Sequence, residues 1–187
     1  MLVFLDFEAS SLAKRSYPIE VAWVFADGRS ESHLIAPASD WTDWDAEAEA
    51  IHRIDRGTLL LDGTPYQTVA YRMMDALAGH DLLASAPSWD GKWLSALLRA
   101  AGLPRHSLRL RRTDDALREC AASLLTSALP DTELTDAVDS ILAQHGGRAT
   151  GATPAHRALP DAEAERARWL AVCDAARALA AEQLGHG

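Results

Sequence analysis

The sequence has 187 residues, 48% of them hydrophobic and 24% charged, and a formal net charge of −9. That length and balance are those of an ordinary soluble globular protein of one domain. The acidic charge argues against a wide, tight, non-specific duplex binder, whose affinity would come from a basic surface. An enzyme that holds one strand end and recruits cations through clustered acids stays open. No run of 18 apolar residues is present, so no transmembrane helix is expected. The opening residues lack a basic n-region and carry acids where a signal peptide would be apolar, which makes the cytoplasm the expected location. Cys120 and Cys173 both fall in helix-like sequence and give no sign of a disulfide framework.

In chain order, Leu2 to Leu5 reads as a short strand buried on both faces. Ile19 to Phe25 is rich in β-branched and aromatic residues and ends at Asp27-Gly28, a hairpin signal, so Glu31 to Ile35 can return beside it. Pro65 can open a helix whose apolar face is Tyr66, Val69, Ala70, Met73, Met74 and Leu77. Asp81 to Ala86 reads as a fourth strand, stopped by Pro87. Trp93, Leu94, Leu97, Leu98 and Ala101 mark the next helix, closed by Gly102 and Pro104. Ser107 to Arg111 is a short fifth strand, in a basic stretch (Arg105 to Arg112) that reads as a solvated edge more readily than as a phosphate track. The remainder is helical: Leu134, Val138, Ile141 and Leu142 share one face, Gly147 to Pro154 is a small-residue loop, and an Ala-rich helix runs past residue 180. This order predicts an α/β domain with a mixed five-stranded sheet flanked by helices.

The chemistry-bearing residues are acids drawn from separate segments. Asp6 and Glu8 close the first strand, and alternate strand residues face the same side. Two like charges near the interior repel and are costly to desolvate, a conflict that a divalent cation resolves. All-oxygen ligands favour Mg²⁺ or Mn²⁺. Asp90 follows the fourth strand at the start of a helix, where an acid can cap N–H groups. Strand ends are also where ligands gather, and a fourth strand beside the first would bring Asp90 towards Asp6. In His156-Arg-Ala-Leu-Pro-Asp161, Pro160 is expected to hold Leu159 away from helix, leaving His156 in a loop and Asp161 in the first turn of the last helix. A loop histidine can titrate near neutral pH as a general base must. These five residues fit two-metal phosphodiester hydrolysis, with Asp6, Glu8, Asp90 and Asp161 as metal ligands and His156 as the base.

On those residues the chain resembles the DEDDh family of 3′–5′ exonucleases, which includes polymerase proofreading subunits, oligoribonuclease and RNase T. The matching segments are Phe4-Leu-Asp6-Phe-Glu8-Ala-Ser-Ser-Leu12, Trp89-Asp90-Gly-Lys-Trp-Leu94 and His156-Arg-Ala-Leu-Pro-Asp161, supported by Pro18-Ile-Glu-Val-Ala22 and Ile51-His-Arg-Ile54. The resemblance runs from about residue 2 to residue 170. It implies an RNase H-like fold, a single exonuclease domain over residues 1–187, two divalent ions (Mg²⁺ or Mn²⁺), and release of nucleoside 5′-monophosphates from the 3′ end of single-stranded DNA or RNA. It also implies a terminal-nucleotide pocket lined by Ala9, Ser10, Ser11 and Leu12, with Leu12 stacking on a base and His52 touching substrate. The family contains dimers, so a homodimer is possible.

Two departures bear on substrate rather than chemistry. The first motif commonly continues with Thr and Gly where this chain has Ala9, Ser10 and Ser11, and the second commonly has Asn where this chain has Ala86. Two other readings stay open: a non-catalytic nucleic-acid- or protein-binding module that kept the fold, and a hydrolase of a small phosphodiester. The sequence does not choose between DNA and RNA, because a contact to the 2′-hydroxyl is a local feature of a pocket. Trp23, Trp41, Trp44 and Trp89 are candidate stacking platforms for unpaired bases.

Overall fold

The structure is a computed structural model and describes residues 1–147 and 156–185. The chain opens with three strands, β1 (Leu2–Ala9), β2 (Pro18–Phe25) and β3 (Ser30–Ala36). Two short helices follow, α1 (Ala46–His52) and α2 (Arg56–Asp62), then the two-residue β4 (Thr64–Pro65) and α3 (Tyr66–Leu77). Next come β5 (Asp81–Ala84), α4 (Pro87–Ala100), β6 (Leu110–Arg112), α5 (Thr113–Leu125), α6 (Asp131–His145) and α7 (Ala158–Gly185). The strands form one sheet in the order β4-β3-β2-β1-β5-β6. β1, β2 and β3 are antiparallel neighbours, whereas β5 runs parallel to β1 and β6 parallel to β5.

β1 is the strand that organises the site, and its side chains divide by parity. Val3, Leu5, Phe7 and Ala9 pack with Val21, Trp23 and the apolar faces of α3 and α4, including Met73, Leu77, Leu94 and Leu97. Phe4 points the other way, where it packs with Leu83, Ala116 and Trp169 of α7. Asp6 and Glu8 continue that second row, so the acids stand where an apolar strand meets the start of α7. All eight residues of β2 are buried, which leaves the mid-strand acid Glu20 inside the protein. Each fully buried Val, Leu, Ile or Phe in these layers contributes roughly 1.5–3 kcal/mol. A second cluster, with Leu117, Leu125, Val138, Ile141 and Val172, joins α5, α6 and α7.

Several boundaries differ from the sequence expectation, for identifiable reasons. The expected five strands are all present, and β4 makes a sixth by pairing briefly with the edge of β3. β1 runs on through its acids to Ala9 because β2 continues to pair with it. β5 stops at Ala84, and Pro87 becomes the first helical residue of α4. The unexpected α1 and α2 are announced by side-chain caps, Asp45 accepting from the Glu47 N–H and Asp55 from the Thr58 N–H. Leu159 and Pro160 are helical: in the first turn, the missing N–H of Pro160 forfeits no intrahelical bond. Cys120 of α5 and Cys173 of α7 form a disulfide, against the sequence expectation of none. The facing of two packed helices brings them together, which helix-like sequence does not reveal. Most of the expected loop Gly147 to Pro154 lies outside the described residues.

Candidate active site and metal centre

Asp6 and Glu8 project from one face of β1, and α7 begins against that face with Asp161 in its first turn. One carboxylate oxygen from each of the three acids lies within 4.8 Å of the others. Packing three anions together has an electrostatic cost. Burial, then the negative charges of Asp161 and Glu20, push the Glu8 carboxyl up to about 8, while the guanidinium of Arg157 acts in the opposite direction.

Asp90 reaches the same region from the sheet edge. β5 pairs with β1 only over Leu2 to Phe4, so the later half of that β1 edge is left to the head of α4. Asp90 is 3% exposed in the first turn of α4. Burial pushes its carboxyl up to about 7, against hydrogen bonding from the backbone of Phe7, Ala86 and Asp90 itself. Its charge acts on Glu8, yet Asp90 is not one of the three acids in the 4.8 Å set. The structure thus brings Asp6, Glu8 and Asp161 together and places Asp90 beside them.

His156 sits just ahead of α7 with φ +48°, half-buried, in a left-handed conformation uncommon outside glycine. The residues after it are tied to β2. Arg157 donates to both oxygens of Glu20 (Nη2 to Oε1 at 2.7 Å, Nε to Oε2 at 3.0 Å), and the Ala158 N–H donates to Glu20 Oε2 at 2.9 Å. Glu20 is itself the cross-strand partner of Glu8. The sequence resemblance included Glu20 without giving it a role. Its signal was an acid in the middle of the otherwise apolar strand Pro18–Phe25.

The residues expected to line a nucleotide pocket divide. Ala9, Ser10 and Ser11 are buried, and both serine hydroxyls donate to Oδ2 of Asp43. Leu12 is 68% exposed, beyond the end of β1. His52 is 3% exposed, its Nδ1 accepting from the Ile54 N–H at 3.1 Å. Burial holds the His52 imidazole below the usual histidine range, opposed by the charges of Glu49 and Glu20 and reinforced by those of Arg157 and His156. It is therefore covered by protein and close enough to the His156 segment to feel its charges. Trp23 is buried in the core, whereas Trp89, next to Asp90, is 39% exposed with Lys92 Nζ 5.0 Å from its ring centroid. Lys92 also donates to the Ala13 carbonyl and to Ser16 Oγ, so α4 anchors the loop that carries Leu12.

The donor set fits a hard divalent cation. It offers carboxylate oxygens from three acids, with no thiolate or imidazole among them, and the raised Glu8 carboxyl reflects burial first and then the repulsion that a cation would relieve.

No protein-family model and no curated protein matches the sequence. Comparison of structures does find similar folds. The zinc-ion-bound E. coli ExoI–ssDNA complex superposes with a TM-score of 0.61 at 17% identity, covering 89% of this chain and 38% of that one. E. coli exonuclease I in complex with a dT13 oligonucleotide gives 0.59 at 18% identity, covering 89% and 39%. The moderately thermophilic exonuclease I from Methylocaldum szegediense gives 0.54 at 18% identity, covering 68% and 29%. The fold is RNase H-like. The chain spans less than two-fifths of the length of these exonuclease I chains. Among its described residues no helix is long and apolar enough to cross a membrane.

Proposed function

We propose that this protein is a divalent-metal-dependent 3′–5′ exonuclease of the DEDDh type, acting on the 3′ end of single-stranded DNA or RNA. The observation that carries the reading is the convergence of Asp6, Glu8 and Asp161, from two ends of the chain, at a point beside Asp90 and the His156 segment. The structural neighbours crystallised with single-stranded DNA, dT13 and dA16 support the substrate class.

Asp6, Glu8 and Asp161 would hold the cation, and Asp90 would complete the set for a second ion. Bound there, divalent ions supply Lewis acidity towards a phosphodiester and stabilise the charge that develops on it. The chain supplies the rest. The His156 imidazole takes a proton from the attacking water as its oxygen bonds to phosphorus. The bond from phosphorus to the 3′-oxygen breaks, and that oxygen takes a proton from solvent, giving a nucleoside 5′-monophosphate and a shortened strand with a new 3′-hydroxyl. Such general-base assistance is worth about 10²–10⁴-fold. Leu12, just beyond the end of β1, and Trp89, adjacent in sequence to Asp90, are exposed apolar groups that would contact the terminal bases. With a net charge of −9, grip on a long backbone is weak, which favours short single-stranded ends over duplex.

The test is a panel of single- and double-stranded DNA and RNA oligonucleotides with Mn²⁺, run beside His156→Ala. Mononucleotide release from single strands, strongly reduced in the variant, is expected. Absence of release from every substrate with pure, folded protein would contradict the reading.

A further inference from the structure

We propose that Glu20 is a positioning residue for the general base: it fixes the backbone immediately after His156, and with it the start of α7, against β2. The inference rests on the nuclease reading above. Glu20 is 2% exposed in the centre of a strand buried along its whole length. A buried carboxylate is costly unless charge and hydrogen bonds compensate it. Here both partners come from one distant segment, the Arg157 guanidinium and the Ala158 N–H, 137 and 138 residues away in sequence.

The location of those partners matters more than their strength. Ala158 is the first residue of α7, so Glu20 Oε2 satisfies an N–H that has no partner within the helix, as a capping side chain would, but from another strand. His156 precedes this anchored pair in a left-handed conformation that its own sequence does not favour. The anchor holds that conformation in register with the acids. Because Glu20 pairs directly with Glu8, the strand that carries the ligands also sets the height of the base.

The experiment compares kcat and KM of wild type, Glu20→Gln, Glu20→Ala, His156→Ala and the doubles with His156→Ala, on a short single-stranded oligonucleotide with Mn²⁺. Outer-layer partners of metal and catalytic groups are typically worth roughly 10–100-fold in activity. Glu20→Ala is expected to lower kcat by that order at nearly unchanged KM, with a smaller loss in Glu20→Gln, whose amide oxygen still accepts from Ala158. In the His156→Ala background the same substitution is expected to cost less than about threefold, because a residue acting through the base has nothing left to position. Losses that multiply fully in the double variant would overturn the proposal and leave the nuclease reading standing. If wild type hydrolyses nothing, the nuclease reading fails, and amide exchange then judges the anchor. Faster exchange at Ala158 in Glu20→Ala, with Val172 and Ala176 unchanged, supports it; unchanged exchange at Ala158 overturns it.

Discussion

Glu8 and Glu20 are cross-strand partners on β1 and β2, and their carboxylates meet different companions. Glu20 is held by the Arg157 guanidinium at 2.7 Å, whereas Glu8 shares a 4.8 Å cluster with Asp6 and Asp161. One acid is satisfied by the protein and builds structure; the other shares its space with two further carboxylates. The contrast between neighbours separates scaffold from site.

Without divalent ions, stability should fall as pH rises. The Glu8 carboxyl is raised from 4.5 to about 8 and Asp90 from 3.8 to about 7, chiefly by burial. The folded protein therefore binds more protons than the unfolded chain between about pH 4 and pH 8, and loses stability as these groups ionise through that window. Thermal melts in a chelator should show Tm decreasing over this range. Mn²⁺ should restore it near pH 8, by about 2.7 kcal/mol at a hundredfold excess over Kd, and have little effect near pH 5. A Tm that rises with pH in the chelator would contradict the placement of these acids.

Cation binding itself should follow the three-acid cluster. Asp161→Asn should weaken Mn²⁺ binding by calorimetry, and Glu20→Gln should change it far less, because Glu20 is already paired with Arg157. Binding near pH 7 should release protons, since carboxyls raised by burial must ionise to ligate. Equal losses in both variants would count against the division between scaffold and site.

Trp89 should matter for strand binding and little for the chemical step. Its exposed ring stands next to Asp90 with Lys92 over it. Stacking of a base on an aromatic ring is worth about 1–3 kcal/mol per base, so Trp89→Ala should weaken binding of a single-stranded oligonucleotide by roughly 5–150-fold. Leu12→Ala should raise KM in the same direction. Unchanged affinity in both variants, measured with Ca²⁺ in place of Mn²⁺ to prevent turnover, would remove this face from the substrate path.

The Cys120–Cys173 bond closes a separation of 53 residues and fastens α5 to α7. Loop-closure entropy assigns such a link about 4 kcal/mol. Cys173→Ala, or reduction, should lower Tm without changing Mn²⁺ affinity, because the bond lies three helical turns beyond Asp161. A loss of metal affinity on reduction would show that α7 reaches the site only when fastened.

Much of this was readable from residue pattern. The opening strands, the α3 and α4 faces and the terminal helix follow from apolar periodicity, and the acid pair on β1 follows from strand parity alone. Other features depend on contacts between distant segments. The disulfide needed two helices to pack, and the caps at Asp45 and Asp55 were short signals in a charged stretch. The hydroxyls of Ser10 and Ser11 both donate to Asp43, 33 and 32 residues away, a contact that local pattern does not reveal. Glu20 stood out as an acid within an apolar strand, but its partners lie 137 and 138 residues further along the chain. The approach of Asp90 to the acids depends on the short pairing of β5 with β1, which local pattern does not give.

The most direct measurement is mass analysis of products from a 5′-labelled single-stranded oligonucleotide incubated with Mn²⁺ and either wild type or Asp6→Ala. Wild type should give nucleoside 5′-monophosphates and a ladder shortened from the 3′ end, and Asp6→Ala should give neither while keeping the wild-type fold by circular dichroism. Intact oligonucleotide with wild type, or an undiminished ladder with Asp6→Ala, would contradict the assignment of the acid cluster as the active centre.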